Sequence, residues 1–249
     1  DREGFYTWNV LHPFRGDSRG ISSGDIDNDG DLDLYIDDAG DPDDPNVYVY
    51  PDEWGGYFLI NDGSGVFTRG NQRFVNATRS TLADFDGDGF LDLALLAINK
   101  GCQEHLSGGC RVFNGVYIYK NYGDNNFVEV ASDVPFSEEH SFEVDELWDI
   151  RYLGLEYDTV ATSLNSVDAN GDEKIDLVAT VETFDGKSFI SVLMNTGNFS
   201  FEVDFNRIEH LQPNKFTNKV VTVDVDQDGS TDIYFERKKF GGSPAGRNR

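Results

Sequence analysis

Basic residues are scarce in this chain of 249 residues. Its 20 Lys and Arg stand against 46 Asp and Glu, for a formal net charge of −26. A surface with that balance repels nucleic acid and anionic membrane, and argues against both as partners. Histidine is sparse as well: His12, His105, His140 and His210 show neither metal-ligand nor triad spacing. No phosphate-binding glycine loop and no haem-attachment motif is present. The two cysteines, Cys102 and Cys110, are too few and too far from any histidine cluster for a zinc site of familiar spacing. No apolar run reaches the length of a membrane span, and no signal peptide remains. The chain starts at Asp1, as a mature product or an excised piece would.

What the sequence does have is one acidic nonapeptide written four times. The copies run from Asp25 to Asp33, Asp84 to Asp92, Asp168 to Asp176 and Asp224 to Asp232. Positions 1, 3, 5 and 9 are Asp25, Asp27, Asp29 and Asp33; Asp84, Asp86, Asp88 and Asp92; Asp168, Asn170, Asp172 and Asp176; and Asp224, Asp226, Asp228 and Asp232. Oxygens from those side chains can surround one hard cation, together with the backbone carbonyl of position 7, which is Asp31, Phe90, Lys174 or Ser230. Glycine at position 6 permits the turn that keeps them converging. Up to four Ca²⁺ ions are thereby predicted. One such loop is weak grounds for a metal site, but four in register are strong.

The residues after the loops exclude the commonest alternative. An EF-hand needs a bidentate Glu at position 12 and flanking helices. Position 12 here is Ile36, Leu95, Ala179 or Phe235, all apolar. The segments after position 9 are short and rich in β-branched or aromatic residues, and read as buried strands.

A second signature recurs with one spacing. Asn61, Asn121 and Asn195 are each followed two residues later by Gly63, Gly123 or Gly197, and six residues later by Phe67, Phe127 or Phe201. Each Asn follows a strand-like run, so the pattern predicts a hairpin turn with a buried Phe behind it. One unit is then strand, acidic loop, strand, connection, strand, Asn/Gly turn, strand. That is a four-stranded antiparallel sheet, the content of one propeller blade.

The loop and hairpin together resemble the FG-GAP/VCBS repeats of integrin α-subunit propellers and of many secreted proteins, over roughly residues 18–236. The resemblance implies an all-β, propeller-like array whose calcium loops join the first two strands of each blade. The third copy departs from the pattern, with Asn170 at position 3 and Glu173 at position 6. A side chain in the left-handed conformation costs about 1–2 kcal/mol, so this site is expected to be the weakest.

Composition agrees with a metal requirement. Of the sixteen side-chain ligand positions one is Asn170, which leaves fifteen aspartates, and four Ca²⁺ would bring the net charge from −26 to −18. Cys102 and Cys110, flanked by glycines in one loop, read as a local disulfide in an oxidising compartment. Asn76 and Asn198 begin Asn-x-Thr/Ser acceptors for glycosylation. The expected address is extracellular, whether secreted or at the cell surface.

The expected organisation is a single domain over 1–240 and a basic tail over 241–249. Blades fall near 18–70, 77–130, 160–205 and 218–240, with 131–159 as an insertion or a degenerate blade. The loops start 59, 84 and 56 residues apart, and little chain follows Asp232. The last blade therefore reads as incomplete. Residues 4–11 could supply a missing strand, or a partner chain could complete the blade, or the chain is a fragment. Three enlarged loops bear Tyr48, Tyr50 and Trp54, His105, and His140 and Trp148, and form a candidate ligand face. Arg15-Gly16-Asp17 is the tripeptide that integrins recognise, though so short a motif recurs by chance. The reading is a calcium-dependent binding module for an extracellular protein or glycan, in adhesion or assembly, and not an enzyme. The alternatives are a lectin, or part of a polysaccharide-degrading enzyme.

Overall fold

The computed structural model describes residues 18–38, 55–74, 77–97, 115–123, 125–134, 159–183, 188–203, 210–211, 215–226 and 231–239. The chain is all-β: the described residues contain strands and turns and no helix, hence none long and apolar enough to cross a membrane. The first antiparallel sheet has the order β1 (Ser18–Gly24), β2 (Asp33–Asp38), β3 (Tyr57–Asn61) and β4 (Phe67–Arg69). The second repeats it with β5 (Ala77–Ala83), β6 (Asp92–Ala97), β7 (Gly115–Asn121) and β8 (Phe127–Val134). The third comprises β9 (Thr159–Val167), β10 (Asp176–Thr183), β11 (Ser188–Gly197) and β12 (Ser200–Val203), with β13 (His210–Leu211) added beside β11. A fourth sheet pairs β14 (Lys215–Val223) with β15 (Asp232–Lys239).

The same register recurs in every unit. Position 9 of each acidic loop is the first residue of the second strand, and it pairs with the residue just before position 1: Gly24 with Asp33, Ala83 with Asp92, Val167 with Asp176, Val223 with Asp232. The hairpin Asn likewise pairs with its Phe, as Asn61 with Phe67, Asn121 with Phe127 and Asn195 with Phe201. Of those three phenylalanines only Phe127 is fully buried; Phe67 and Phe201 are half-buried. Strand β8 runs to Val134, into the stretch read as an insertion, while residues 135–158 lie outside the described chain.

Strand alternation explains how the sheets stack. Successive side chains on a strand point to opposite faces. On the second sheet Leu93, Leu95, Tyr117 and Tyr119 therefore meet Tyr35, Phe58 and Phe74 of the first unit. Ala94, Leu96, Val116 and Ile118 face the other way, onto Leu164, Leu177, Ala179 and Leu193 of the third. The aromatic side is tightly arranged, with Phe58 stacked on Phe127 at 4.6 Å and Phe74 edge-on to Tyr119 at 5.1 Å. The first strands are neighbours in turn: β1 packs on β5, β5 on β9, and β9 on β14. Hydroxyls tie them, with Ser22 Oγ 2.6 Å from Ser80 Oγ and Thr81 Oγ1 2.9 Å from Ser166 Oγ. Asp37 of β2 is buried at the same junction, beside Gly20 and Ser80. Its Oδ1 has no hydrogen-bond partner, and burial pushes its carboxyl up to about 6 against the opposing pull of Ser80 and Arg79.

Candidate metal centres

Each of the first three acidic loops is an eight-residue connection folded around its own first aspartate. Asp25 Oδ1 accepts from the backbone N–H of Asp29 at 3.1 Å, and Oδ2 from that of Gly30 at 2.9 Å. Asp84 Oδ1 accepts from Gly87 and Asp88, and Oδ2 from Gly89 at 2.8 Å. Asp168 repeats the set with Gly171, Asp172 and Glu173. These short acceptors stand in for the backbone partners that a tight turn lacks. Position 5 tightens the turn again, as Asp29, Asp88 and Asp172 accept from the N–H groups of Asp31, Phe90 and Lys174.

Two positions in each of the first three loops adopt left-handed backbone. Position 6 was legible as Gly30 (φ 96°) and Gly89 (φ 91°), and in the third loop Glu173 takes the same conformation at φ 67°. Position 4 is left-handed too, at Asn28, Gly87 and Gly171. Its residue types, Asn and Gly, are those that tolerate this conformation, so the signal was there to be read.

Position 9 does more than the sequence suggests. Asp33 Oδ2 accepts from the N–H of Ile26 at 3.0 Å, and Oδ1 from that of Asn61 at 2.8 Å. Asp92 holds Phe85 and Asn121 in the same way, and Asp176 holds Ala169 and Asn195. Asp232 accepts from Val225 at 3.1 Å. In the first three units one buried carboxylate thus joins the loop to the third strand of its own sheet. Burial pushes the Asp92 carboxyl up to about 6, despite the N–H groups of Asn121 and Phe85, and raises that of Asp176.

The hairpin asparagines complete the loops from the neighbouring sheet. Asn121 Nδ2 donates to Leu91 O of its own loop at 3.2 Å and to Ile26 O of the preceding loop at 2.7 Å. Asn195 Nδ2 donates to Ile175 O at 3.1 Å and to Phe85 O of the second loop at 2.9 Å. Their Oδ1 atoms accept from Gly123 and Gly197 and so close the hairpin turns. A further bond runs between the first two loops directly, from Asn28 Nδ2 to Gly89 O at 3.0 Å.

The carboxylates gather where the spacing places them. Oxygens of Asp25, Asp27 and Asp29 lie within 4.8 Å of one another, as do those of Asp84, Asp86 and Asp92, and of Asp224, Asp226 and Asp232. In the third loop Asn170 offers an amide oxygen instead, which accepts from Asp172 N–H at 2.9 Å, and Lys174 Nζ sits 3.1 Å from Asp172 Oδ2. Asp172 is held below the ordinary carboxylate range first by the N–H of Lys174 and then by its ammonium. In the first loop Asp27 Oδ1 is buried with no hydrogen-bond partner. Desolvation and the charges of Asp33 and Asp29 raise the Asp27 carboxyl. An unpartnered buried oxygen among like charges, in an all-oxygen donor set, is what a hard divalent cation would satisfy.

Residues 168–235 match the family model of the FG-GAP-like repeat. The match begins at position 1 of the third loop, takes in the rest of the third sheet and ends in β15. An FG-GAP-like repeat, in a chain built of repeated four-stranded antiparallel sheets, marks a β-propeller-type module. No curated protein matches the chain.

Asn198 is exposed at the β11–β12 turn of the FG-GAP-like unit, with φ 51°. Asp228 and Ser230 of the fourth loop lie outside the described residues. So do Cys102 and Cys110, Asn76, residues 4–11, and the ligand-face candidates Tyr48, Tyr50, Trp54, His105, His140 and Trp148.

Proposed function

We propose that the chain is a calcium-binding module of the extracellular space whose work is binding, in adhesion or assembly, rather than catalysis. The observation that carries the reading is the first loop, where three carboxylates converge and Asp27 Oδ1 is buried without a partner. Asp25, Asp27 and Asp29 would hold the ion there. Asp84, Asp86 and Asp92 would hold one in the second loop, and Asp224, Asp226 and Asp232 one in the fourth. The third loop, with Asn170 and a left-handed Glu173, is the poorest host. A bound Ca²⁺ would supply the positive charge that converging carboxylates need.

The chain's own residues supply the frame. In the first three units position 1 shapes the loop and position 9 anchors it to its sheet. Loops held this rigidly suit a scaffold that displays connections to a partner, here an extracellular protein or glycan. Extracellular calcium modules bind at about 10⁻⁴–10⁻³ M. At about 2 mM calcium each site at the tighter end of that range would add about 2 kcal/mol.

The test is thermal unfolding of metal-loaded protein, followed in calcium and then in EDTA, with equilibrium dialysis to count ions. Chelation should lower Tm, and Asp27→Asn should remove one of the tighter ions. Unchanged melting in EDTA with no calcium retained would sink the reading.

A further inference from the structure

The residue just before the hairpin Asn is Ile60 in the first unit and Met194 in the third, but Lys120 in the second. All three sit on the third strand of their sheet, next to the backbone N–H that position 9 accepts. Lys120 Nζ donates to Asp86 Oδ2 and, at 2.6 Å, to Asp88 Oδ2. Those are positions 3 and 5 of the second loop. The ammonium side chain is largely covered, with 14% of its surface exposed. It also lies 5.4 Å from the Tyr122 ring centroid and 5.5 Å from that of Phe199 in the β11–β12 turn of the third unit.

The first and second loops carry the same four aspartates at positions 1, 3, 5 and 9. Their surroundings differ. Position 3 of the first loop, Asp27, has an oxygen with no partner, whereas Asp86 at the same position of the second is engaged by a fixed cation. We propose that Lys120 is a tethered counter-ion of the second loop, which offsets one of that loop's four carboxylate charges without metal and makes its calcium site weaker than the first. This rests on the calcium reading given above.

The physical reasoning is direct. An incoming Ca²⁺ either shares Asp86 and Asp88 with an ammonium a few ångströms away, and meets its repulsion, or displaces it. Displacement breaks two charge-assisted hydrogen bonds. The rings of Tyr122 and Phe199 offer the released ammonium a second seat through cation–π attraction. Ile60 and Met194 bring no charge to their loops, so the other described units carry no such competitor on this strand. Two loops joined by the Asn28–Gly89 hydrogen bond would then fill at different calcium concentrations.

The experiment is calcium titration by calorimetry on the full chain, with Lys120→Met, Lys120→Gln and Lys120→Arg. Melting in EDTA is measured alongside. Methionine is what the third unit carries at this place, so the fold accommodates it, and glutamine serves as a second neutral variant. Both neutral variants should tighten one site by about tenfold or more and lower Tm in EDTA, while Lys120→Arg should keep the weak site. If the neutral variants leave both quantities at wild-type values while the first site still takes up calcium, the role given to Lys120 is wrong and the calcium reading stands. If no variant binds calcium and Asp27→Asn changes nothing, both fall together.

Discussion

Strands β6 and β15 both begin at position 9 of the same acidic loop, yet they live in different surroundings. From Asp92 to Leu96 no residue of β6 is more than 2% exposed. On β15 Tyr234 is 50% exposed, and its partner Val221 on β14 is 54% exposed. Both loops make the bond from position 2 to position 9, Phe85 to Asp92 and Val225 to Asp232. The loop therefore specifies a hairpin, and burial is set by what lies on either face of it. The second sheet has a neighbour on each side, the first through Leu93 and Leu95 and the third through Ala94 and Leu96. The described part of the fourth meets the third, through β14 on β9 and β10.

The largest effect that would break this comparison is in the core. Leu95→Ala should cost about 2–5 kcal/mol, because a fully buried leucine leaves both its transfer energy and a cavity behind. Urea unfolding measures it, and a cost under about 1 kcal/mol would mean that the sheets do not clamp β6.

Next comes Asp37, buried where the first and second sheets meet. Its carboxyl titrates near 6 in the folded chain against 3.8 for the free side chain. Between those values the folded state binds more protons than the unfolded one. Stability from this group is thus greatest at low pH and is lost as pH rises from about 4 through about 6, by about 3 kcal/mol at most. Asp37→Asn should abolish that slope and raise stability at pH 7; urea melts of both proteins at several pH values decide it.

Asn121→Ala should cost about 1–3 kcal/mol, because it strands the buried carbonyl of Ile26 in the first loop and the partly buried one of Leu91 in the second. Asn61→Ala sharpens the point: among the described residues its amide is given only to its own loop, at Leu32 O, so the loss should be smaller. Hydrogen exchange at the first loop should rise in the Asn121 variant. The smallest effect is at the exposed end of the comparison, where Tyr234→Ala should change unfolding free energy by about 0.5 kcal/mol or less. A core-sized loss there would show that β15 is covered.

Much of the repeating plan was legible because it is written in local spacing. Four acidic loops, the apolar strands after them and the Asn/Gly hairpins follow from turn chemistry and from period-two burial, and the strands lie there. Local spacing does not say what a group meets across a sheet. The double duty of Asp33, Asp92 and Asp176 depends on a third strand that lies 28, 29 or 19 residues away. The amides of Asn121 and Asn195 act 95 and 110 residues back along the chain. Lys120 could have been noticed by setting the three hairpin strands side by side, since Ile60 and Met194 make it the exception. What it reaches could not. Nor does the shared motif decide burial, since Phe127 is fully buried while Phe67 and Phe201 are half-buried.

The asparagine amides also say how such an array can grow or shrink. Asn121 offers its amide to Ile26 O, position 2 of the loop before it, and Asn195 offers its own to Phe85 O, position 2 of the next. The second unit thus presents a carbonyl to the third and an amide to the first, in one standard coupling. Remove the second unit whole, and the amide of Asn195 and the carbonyl of Ile26 are still a matched plug and socket. Cut anywhere else, and both halves of a coupling are left open. A chain coupled this way changes its length most simply in whole units, and its acidic loops stay in step when it does.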